Sequence, residues 1–302
     1  MKLRKSLILT LAALAGVAQA EPLSWHYHMP TTGVMPAAFS ASFVSPMSAR
    51  HADGSLSLNQ ARLSLPLSDP RRTDIEGWTV YFALDMERTE LHNHTVLPLK
   101  HSAFYDIAAP LSFIRNFSDQ QRLTLTFSPH VAGDLSNSAR SFEPAAYADY
   151  RFYKTEALTL SAGVAFTPSY SETWLVPFVS VEWDMPHDWH LHIKGYEMTV
   201  MHPVWCEELS TGFFARAIGG AWAAEMQDDS SRLLRVRSLA AGMRWQYVTC
   251  NPCKKHALFF AEIGSALITR AAISRWDDRD DYEKSRFYNP GLYLSAGVDL
   301  RF

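Results

Sequence analysis

The sequence predicts an all-β protein: a transmembrane antiparallel up-and-down β-barrel of about 14 strands, with 12 strands as the alternative. The first observation is a strict alternation of apolar and polar residues over residues 291–302. The second is that alternating segments recur along the chain about every 20–25 residues, as expected of strands joined in hairpins. The third is a hydrophobic content of 47% without an apolar run long enough for a membrane-spanning helix.

The closing segment, residues 291–302, shows the pattern most clearly. Because successive side chains of a strand point to opposite faces, this segment has one apolar face and one small or polar face. The apolar face carries Leu292, Leu294, Ala296, Val298, Leu300 and Phe302, and the other face carries Tyr293, Ser295, Gly297, Asp299 and Arg301. Such a strand suits a wall between lipid and a polar interior.

The first 20 residues have the three parts of a secretory signal peptide. A basic start (residues 1–5) precedes a short apolar stretch (residues 6–17) and an Ala-Gln-Ala sequence at residues 18–20. We expect cleavage between Ala20 and Glu21 and export from the cytoplasm. No cysteine follows the cleavage site directly, so a lipid anchor is not expected.

Composition narrows the class of protein without deciding it. The net charge of −3 gives no indication of a nucleic-acid partner. Aromatic residues make up 13% of the chain, which suits interfacial girdles of Trp and Tyr. The candidates near strand ends are Trp78, Tyr153, Trp174, Trp183, Trp189, Trp222, Trp245, Tyr247 and Tyr293. A soluble secreted β-sandwich with core aromatics is the alternative, although it would be unusually large.

Strand counting gives 13 segments without residues 37–45 and 14 with them. Single-chain bacterial barrels have an even strand number, which favours 14. Residues 21–55 alternate weakly and contain four prolines, so they form either a first strand or a plugging segment ahead of a barrel over residues 56–302. The predicted strands are residues 37–45, 57–67, 78–87, 105–116, 122–131, 146–153, 158–167, 175–184, 189–194, 198–205, 211–224, 238–247, 259–267 and 291–302.

Counting back from the C-terminus assigns the connections to the two sides of the membrane. The short ones become periplasmic turns, namely residues 116–121, 154–155, 186–188, 206–209 and 250–254. The other, mostly long ones become extracellular loops, namely residues 91–102, 133–142, 167–173 and 269–290. Short periplasmic turns and longer extracellular loops are typical of these barrels.

The rhythm of residues 159–189 and the closing GLYLSAGVDLRF resemble Gram-negative outer-membrane β-barrels of porin-like families without an assigned function. This resemblance implies outer-membrane lipid as a partner. A terminal aromatic such as Phe302 implies recognition by the barrel-assembly machinery through the last strand. The resemblance implies no catalytic, cofactor-binding or metal-binding residue.

The predicted inner face carries charges of both signs in nearly equal number. Such side chains either fill the lumen as a polar network or line a narrow, weakly selective passage for small solutes. The lumen candidates are Arg62, Asp85, Arg122, Asp149, Arg151, Glu182, His190, His192, Arg244, Glu262, Asp299 and Arg301. The leading hypothesis is therefore a small-solute channel or a structural barrel, not an enzyme.

Two histidines and two cysteines invite a metal or disulfide interpretation. His190 and His192 share a strand face, but two imidazoles do not complete a metal site, and polar lumen residues are the favoured interpretation. Cys250 and Cys253 flank a predicted turn in an oxidising compartment, which predicts a disulfide between them. Cys206 lies at another periplasmic turn and leaves a second pairing open. No metal or other cofactor is expected.

Ser128 and His130 share one strand face and suggest a serine hydrolase that acts on lipid or surface polymers. The pair points to the predicted lumen, and no third group is spaced to orient the histidine. Hydrolase activity is therefore an alternative only. A surface-binding protein that uses its long extracellular loops is a further alternative.

Overall fold

The computed structural model describes residues 37–68, 74–75, 77–94, 97–136, 142–166, 175–204, 208–250, 256–275 and 282–301. Every regular element in these ranges is a β-strand. In this part of the chain, no helix has the length and apolarity needed to cross a membrane. The predicted signal peptide, Trp174, Cys206, Cys253 and Phe302 lie outside the described residues.

The described residues form 17 strands in one sheet. Their bounds are β1 Ala37–Ser48, β2 Ser55–Pro66, β3 Asp74–Ile75, β4 Trp78–His94, β5 Ala103–Ala108, β6 Leu111–Asn116, β7 Arg122–Gly133, β8 Phe142–Lys154, β9 Leu158–Phe166, β10 Leu175–Met185, β11 Trp189–Lys194, β12 Glu197–Pro203, β13 Leu209–Glu225, β14 Ser231–Cys250, β15 His256–Ser274, β16 Tyr282–Tyr288 and β17 Gly291–Arg301.

These strands occupy 14 positions in a closed antiparallel ring, as the sequence predicts. Three positions are shared: β2 and β3 both pair with β4, β5 and β6 both lie between β4 and β7, and β16 and β17 both pair with β15. The ring closes where β1 pairs with both β17 and β2. Ala41 lies opposite Ala296 on one side and Ala61 on the other.

The outward face of this ring is apolar and the inward face is polar, which is the reverse of a soluble protein. On β7, Thr124, Thr126 and Ser128 are buried, whereas Leu125 and Phe127 are exposed. Large exposed apolar side chains recur around the ring, among them Phe39, Val179, Phe213, Met243, Phe259 and Leu294. Because exposed apolar side chains on this scale are stable only against hydrocarbon, the pattern favours a transmembrane barrel over a sandwich.

The outward apolar band has the height of a membrane. On β14 it runs from Tyr247 to Arg237, and on β4 from Trp78 to Arg88, which is the same sequence separation on both strands. Ten residues span about 33 Å along a strand, and a tilt of about 40° reduces this to a height of about 25 Å, the usual apolar band of a membrane barrel.

Among the described residues, Ala37–Ser48 forms the wall strand β1, which is the first-strand alternative for residues 21–55, so the barrel begins before residue 56. One sequence prediction about a strand boundary needs correction. The predicted loop over residues 269–290 is mostly strand, because Thr269 to Ser274 pair with Tyr288 to Tyr282. Lys284 and Arg286 are exposed on this strand, so local charge indicated exposure to solvent and not the absence of a strand.

Above the middle of the barrel the ring becomes narrower. β13 pairs with β12 as far as Arg216, bends at Gly219 and crosses to β7, where Ala223 pairs with Gly133 in parallel. The Asp134 N–H donates to the Ala223 carbonyl oxygen at 3.0 Å. An upper ring therefore closes through β7, β5, β4, β2, β1, β16, β15, β14 and β13, and it omits β8 to β12.

The upper ring is filled by apolar side chains. Its core includes Val44, Met47, Leu56, Leu58, Leu91, Phe104, Phe214, Ile218, Trp222, Leu234, Val236, Tyr288 and Tyr293. Trp222 lies 5.4 Å from Phe104 and Tyr293 lies 5.5 Å from Phe214, measured between ring centroids. The prediction that Trp222 and Tyr293 belong to interfacial girdles is therefore wrong: both are buried inside the barrel.

Candidate functional site: a polar cavity below an inward-folded hairpin

A polar cavity of about 150 Å³ lies inside the barrel, directly below the apolar core. Its upper end is formed by Ile218 and Tyr293, and its lining extends down to Ala38 near the start of β1 and Asp299 near the end of β17. The charged residues that line it are Arg62, Arg216, Arg244, Glu87, Glu197 and Asp299. Three formal positive charges thus face three formal negative charges.

A buried carboxylate, Glu262, organises one wall of the site. One of its oxygens, Oε1, accepts from Arg244 Nη1 at 2.8 Å and also from Arg216 Nη2. Its second oxygen accepts from the Tyr293 hydroxyl at 3.4 Å. Arg216 also pairs with Glu197 at 3.0 Å. Burying these charges is tolerable because each is held by an opposite charge and hydrogen bonds.

A second polar cluster joins the opposite wall to the bend in β13. The Gln60 amide donates to Glu87 Oε1 at 2.9 Å and to the Thr89 hydroxyl at 3.1 Å. The same nitrogen lies 3.4 Å from the Gly219 carbonyl oxygen. This network therefore supports the backbone at the point where β13 turns inward.

The structure brings some of the predicted lumen residues together and separates others. Buried on the inward face are Asp85, Asp149, Arg151, Arg244 and Glu262. Partly buried are Arg62, Arg122, Glu182, His192 and Asp299. Arg62 lies 3.8 Å from Asp85. His190 is exposed and pairs with Asp184 at 2.7 Å near the β10–β11 turn, and the Arg301 side chain lies outside the described residues.

The structure adds no supporting geometry to the other candidate sites that the sequence suggested. Among the described residues, no group of three or more His, Cys, Asp or Glu residues is placed to hold a metal ion. Ser128 and His130 are both buried inside the barrel, away from the lipid-facing surface. The predicted Cys250–Cys253 disulfide involves side chains outside the described part of the chain.

The sequence analysis placed β13 and β14 in the barrel wall and missed that the upper part of their hairpin folds inward and covers the cavity. Its tip is attached to the opposite side of the barrel by a polar latch. Lys100 Nζ lies 2.8 Å from both Glu225 Oε1 and Asp229 Oδ1. The Glu225 N–H donates to Asp134 Oδ2 at 2.6 Å, and the Gln227 N–H donates to the Pro98 carbonyl oxygen at 2.9 Å.

A sequence signal for this hairpin existed but was faint. Residues 217–224 read AIGGAWAA, an apolar run without alternation and with two adjacent glycines. A strand that is buried on both faces has this composition, whereas a lipid-facing wall strand alternates. Ala221, Trp222, Ala223 and Ala224 are all buried.

No protein-family profile and no curated protein matches this sequence. Among solved structures, the chain is similar to the toluene transporter TodX of Pseudomonas putida, with a TM-score of 0.36 and 8% identity over 94% of this chain and 92% of that chain. It is also similar to the COG4313 outer membrane channel from Pseudomonas putida F1, with a TM-score of 0.33 and 12% identity over 93% of this chain and 100% of that chain. At these TM-scores, the substrates of those two proteins are not assigned to this chain.

We expect the Glu262→Gln variant to lower the free energy of unfolding by about 2 kcal/mol, because two buried arginines lose a shared charge partner. Urea unfolding of the barrel in lipid vesicles measures this value. Glu283 provides a matched control, since it pairs with both Arg232 and Arg275 at 2.9 Å but is partly exposed. Glu283→Gln should lower the free energy of unfolding by less than about 1 kcal/mol. An equal loss of stability in both variants would contradict a structural role of the buried network.

Proposed function

We propose that this protein is an outer-membrane channel for small polar solutes, which the β13–β14 hairpin closes on the extracellular side. The observation that carries the proposal is a charged cavity directly below an apolar hairpin inside a closed barrel. A purely structural barrel has no need of a polar cavity that reaches toward the periplasmic strand ends. The signal peptide predicted over residues 1–20 supports export to this membrane.

The charge distribution in the cavity supports weak selectivity. Arg62, Arg216 and Arg244 balance Glu87, Glu197 and Asp299. A ring of one sign would favour ions of the opposite sign, and this lining has no such ring. We therefore expect passage of small neutral or zwitterionic solutes, with little discrimination between cations and anions.

The closed state is set by apolar packing and not by charge. Ile218, Trp222 and Leu234 belong to the core that fills the upper ring, and an apolar constriction excludes water and ions. Conduction therefore requires the hairpin to move away from β7. The exposed ion pairs at its tip contribute little energy each, so they tune this movement.

The latch makes the channel sensitive to acid. Ion pairing with Lys100 lowers the pKa of the Glu225 carboxyl group, and the same contacts with Asp229 and Glu225 raise the pKa of Lys100. Because the pKa of Glu225 is lowered in the closed state, the latch is fully formed at pH values above the usual glutamate pKa of about 4. It is lost as the pH falls through the lowered pKa. We therefore expect a higher open probability below about pH 4 in planar bilayers.

Lys100→Met should raise the open probability at neutral pH and flatten its pH dependence. Lys154→Met provides the control, because Lys154 is exposed at the end of β8. Single-channel recordings at several pH values test the proposal. An absence of conductance under all these conditions would favour the structural barrel instead.

A further inference from the structure

A row of residues crosses the outward face of the barrel at the upper limit of the apolar band. In this row Gly219 lies opposite Arg237, Arg237 opposite Arg270, and Arg270 opposite Phe287. Arg237 is the residue at which the apolar band of β14 ends. The row therefore lies where hydrocarbon gives way to the headgroups of the extracellular leaflet.

Two guanidinium groups in one registered pair are unusual, because like charges directly opposite each other destabilise a sheet. The Arg270 side chain is held in place: its Nε donates to the Ser285 hydroxyl at 2.8 Å, and its Cζ lies 5.5 Å from the Phe287 ring centroid. Exposed Arg50 continues the row, since its backbone N–H donates to the Phe287 carbonyl oxygen at 2.8 Å. Two adjacent guanidinium groups can hold one phosphate group between them.

Below the arginines the surface is aliphatic. The register of β14 and β15 shifts between Leu239 and Ala240, so that Leu267 is an extra residue on β15. As a result Leu267 and Ile268 are both exposed, at 40% and 49%. Leu292 adds a third exposed aliphatic side chain on the neighbouring strand. A ligand that fits the whole surface has an anionic head above and acyl chains below.

We propose that Arg237 and Arg270 bind the phosphate group of an outer-leaflet lipid, such as the phosphorylated glucosamine of lipid A. Guanidinium groups form paired, charge-assisted hydrogen bonds with phosphate oxygens. The aliphatic residues Leu239, Leu267 and Ile268 then contact the acyl chains. This inference rests on the proposed outer-membrane location, but it does not depend on whether the barrel conducts.

Native mass spectrometry of the folded, detergent-solubilised barrel with added lipid A tests the site. The wild-type protein should retain lipid A through detergent exchange. The double variant Arg237→Gln/Arg270→Gln should reduce the bound fraction about tenfold or more, because the charged hydrogen-bond donors are lost. Lipid A without its phosphates should bind the wild-type protein no better than the double variant binds lipid A.

Arg115 provides a matched control, because it is exposed at the other end of the barrel and lies 5.5 Å from the Trp78 ring centroid and 5.6 Å from that of Phe117. Arg115→Gln should leave lipid A binding unchanged. The shift of a folded barrel on a gel before heating shows that each variant folds, and the lysine double variant should keep part of the binding. Equal retention by the wild type and the glutamine double variant would overturn the inference, whereas lipid A binding without conductance would contradict only the channel.

Discussion

A variant that lacks the tip of the inward hairpin is expected to conduct ions persistently, whereas we expect the wild-type protein to conduct only in rare openings. The change removes residues 222–234 and joins Ala221 to Arg235 through an Asn-Gly turn. Ala221 and Arg235 are already paired across the two strands, and Asn-Gly forms the two-residue turn that suits such a hairpin. The deletion takes Trp222 and Leu234 out of the upper core, so water can enter the space that they fill.

Planar-bilayer recording of single insertions measures this effect, and the expected result is a change from rare openings to a steady open current. A cysteine pair across the closing contact provides the reciprocal test. Ala223→Cys with Gly133→Cys joins β13 to β7 at the positions that pair in parallel, in a background in which the three native cysteines are serine. Oxidation should keep this variant closed even in acid, and reduction should restore gating. A deletion variant as silent as the wild type would show that the lumen is sealed elsewhere.

Gly219→Ala is expected to lower the free energy of unfolding by about 4 kcal/mol, the sum of a strained backbone and a steric clash. Gly219 has a φ of +116°, a conformation that residues with a side chain rarely adopt. A Cβ atom there would lie 2.0 Å from the Val236 carbonyl oxygen, which is backbone and cannot rotate away. The inward bend of β13 therefore depends on this glycine.

Gly77→Ala separates the two contributions. Gly77 also has a positive φ, of +80°, but a Cβ atom there would meet nothing within 4 Å. Gly77→Ala should lower the free energy of unfolding by only about 1 kcal/mol, because it adds backbone strain without a steric clash. Urea unfolding in vesicles, followed by tryptophan fluorescence, compares the two variants. Similar costs at both glycines would show that Gly219 is not the point on which the bend depends.

Much of the barrel follows from the sequence, because the alternation of side chains along a strand is a local property. Leu125 and Phe127 face outward and Thr124 and Thr126 face inward, as their alternation predicts. The even strand number and the short turn over residues 116–121 follow from the same pattern and from the requirement that a barrel close. The requirement for an even number of strands also favoured β1 as a wall strand, in spite of its weak alternation.

The site was predictable only in part. Glu262 and Arg244 were expected in the lumen, but Arg216 and Glu197, which complete their network, lie on segments with faint alternation. The latch between Lys100 and Glu225 joins residues 125 positions apart in the chain. Neither residue belongs to a motif, so no local pattern indicates that they meet.

The sequence by itself determined a cylinder: which side chains meet lipid, which face inward, and how many strands close the ring. These properties follow from a two-residue period that every strand repeats independently of its partners. The tertiary structure alone decided that β13 crosses to β7, that Trp222 lies inside, and that the lumen divides into a dry upper core and a polar cavity below it. That division depends on one backbone bend at Gly219 and on contacts between distant strands. Neither feature produces a periodic pattern in the amino-acid sequence.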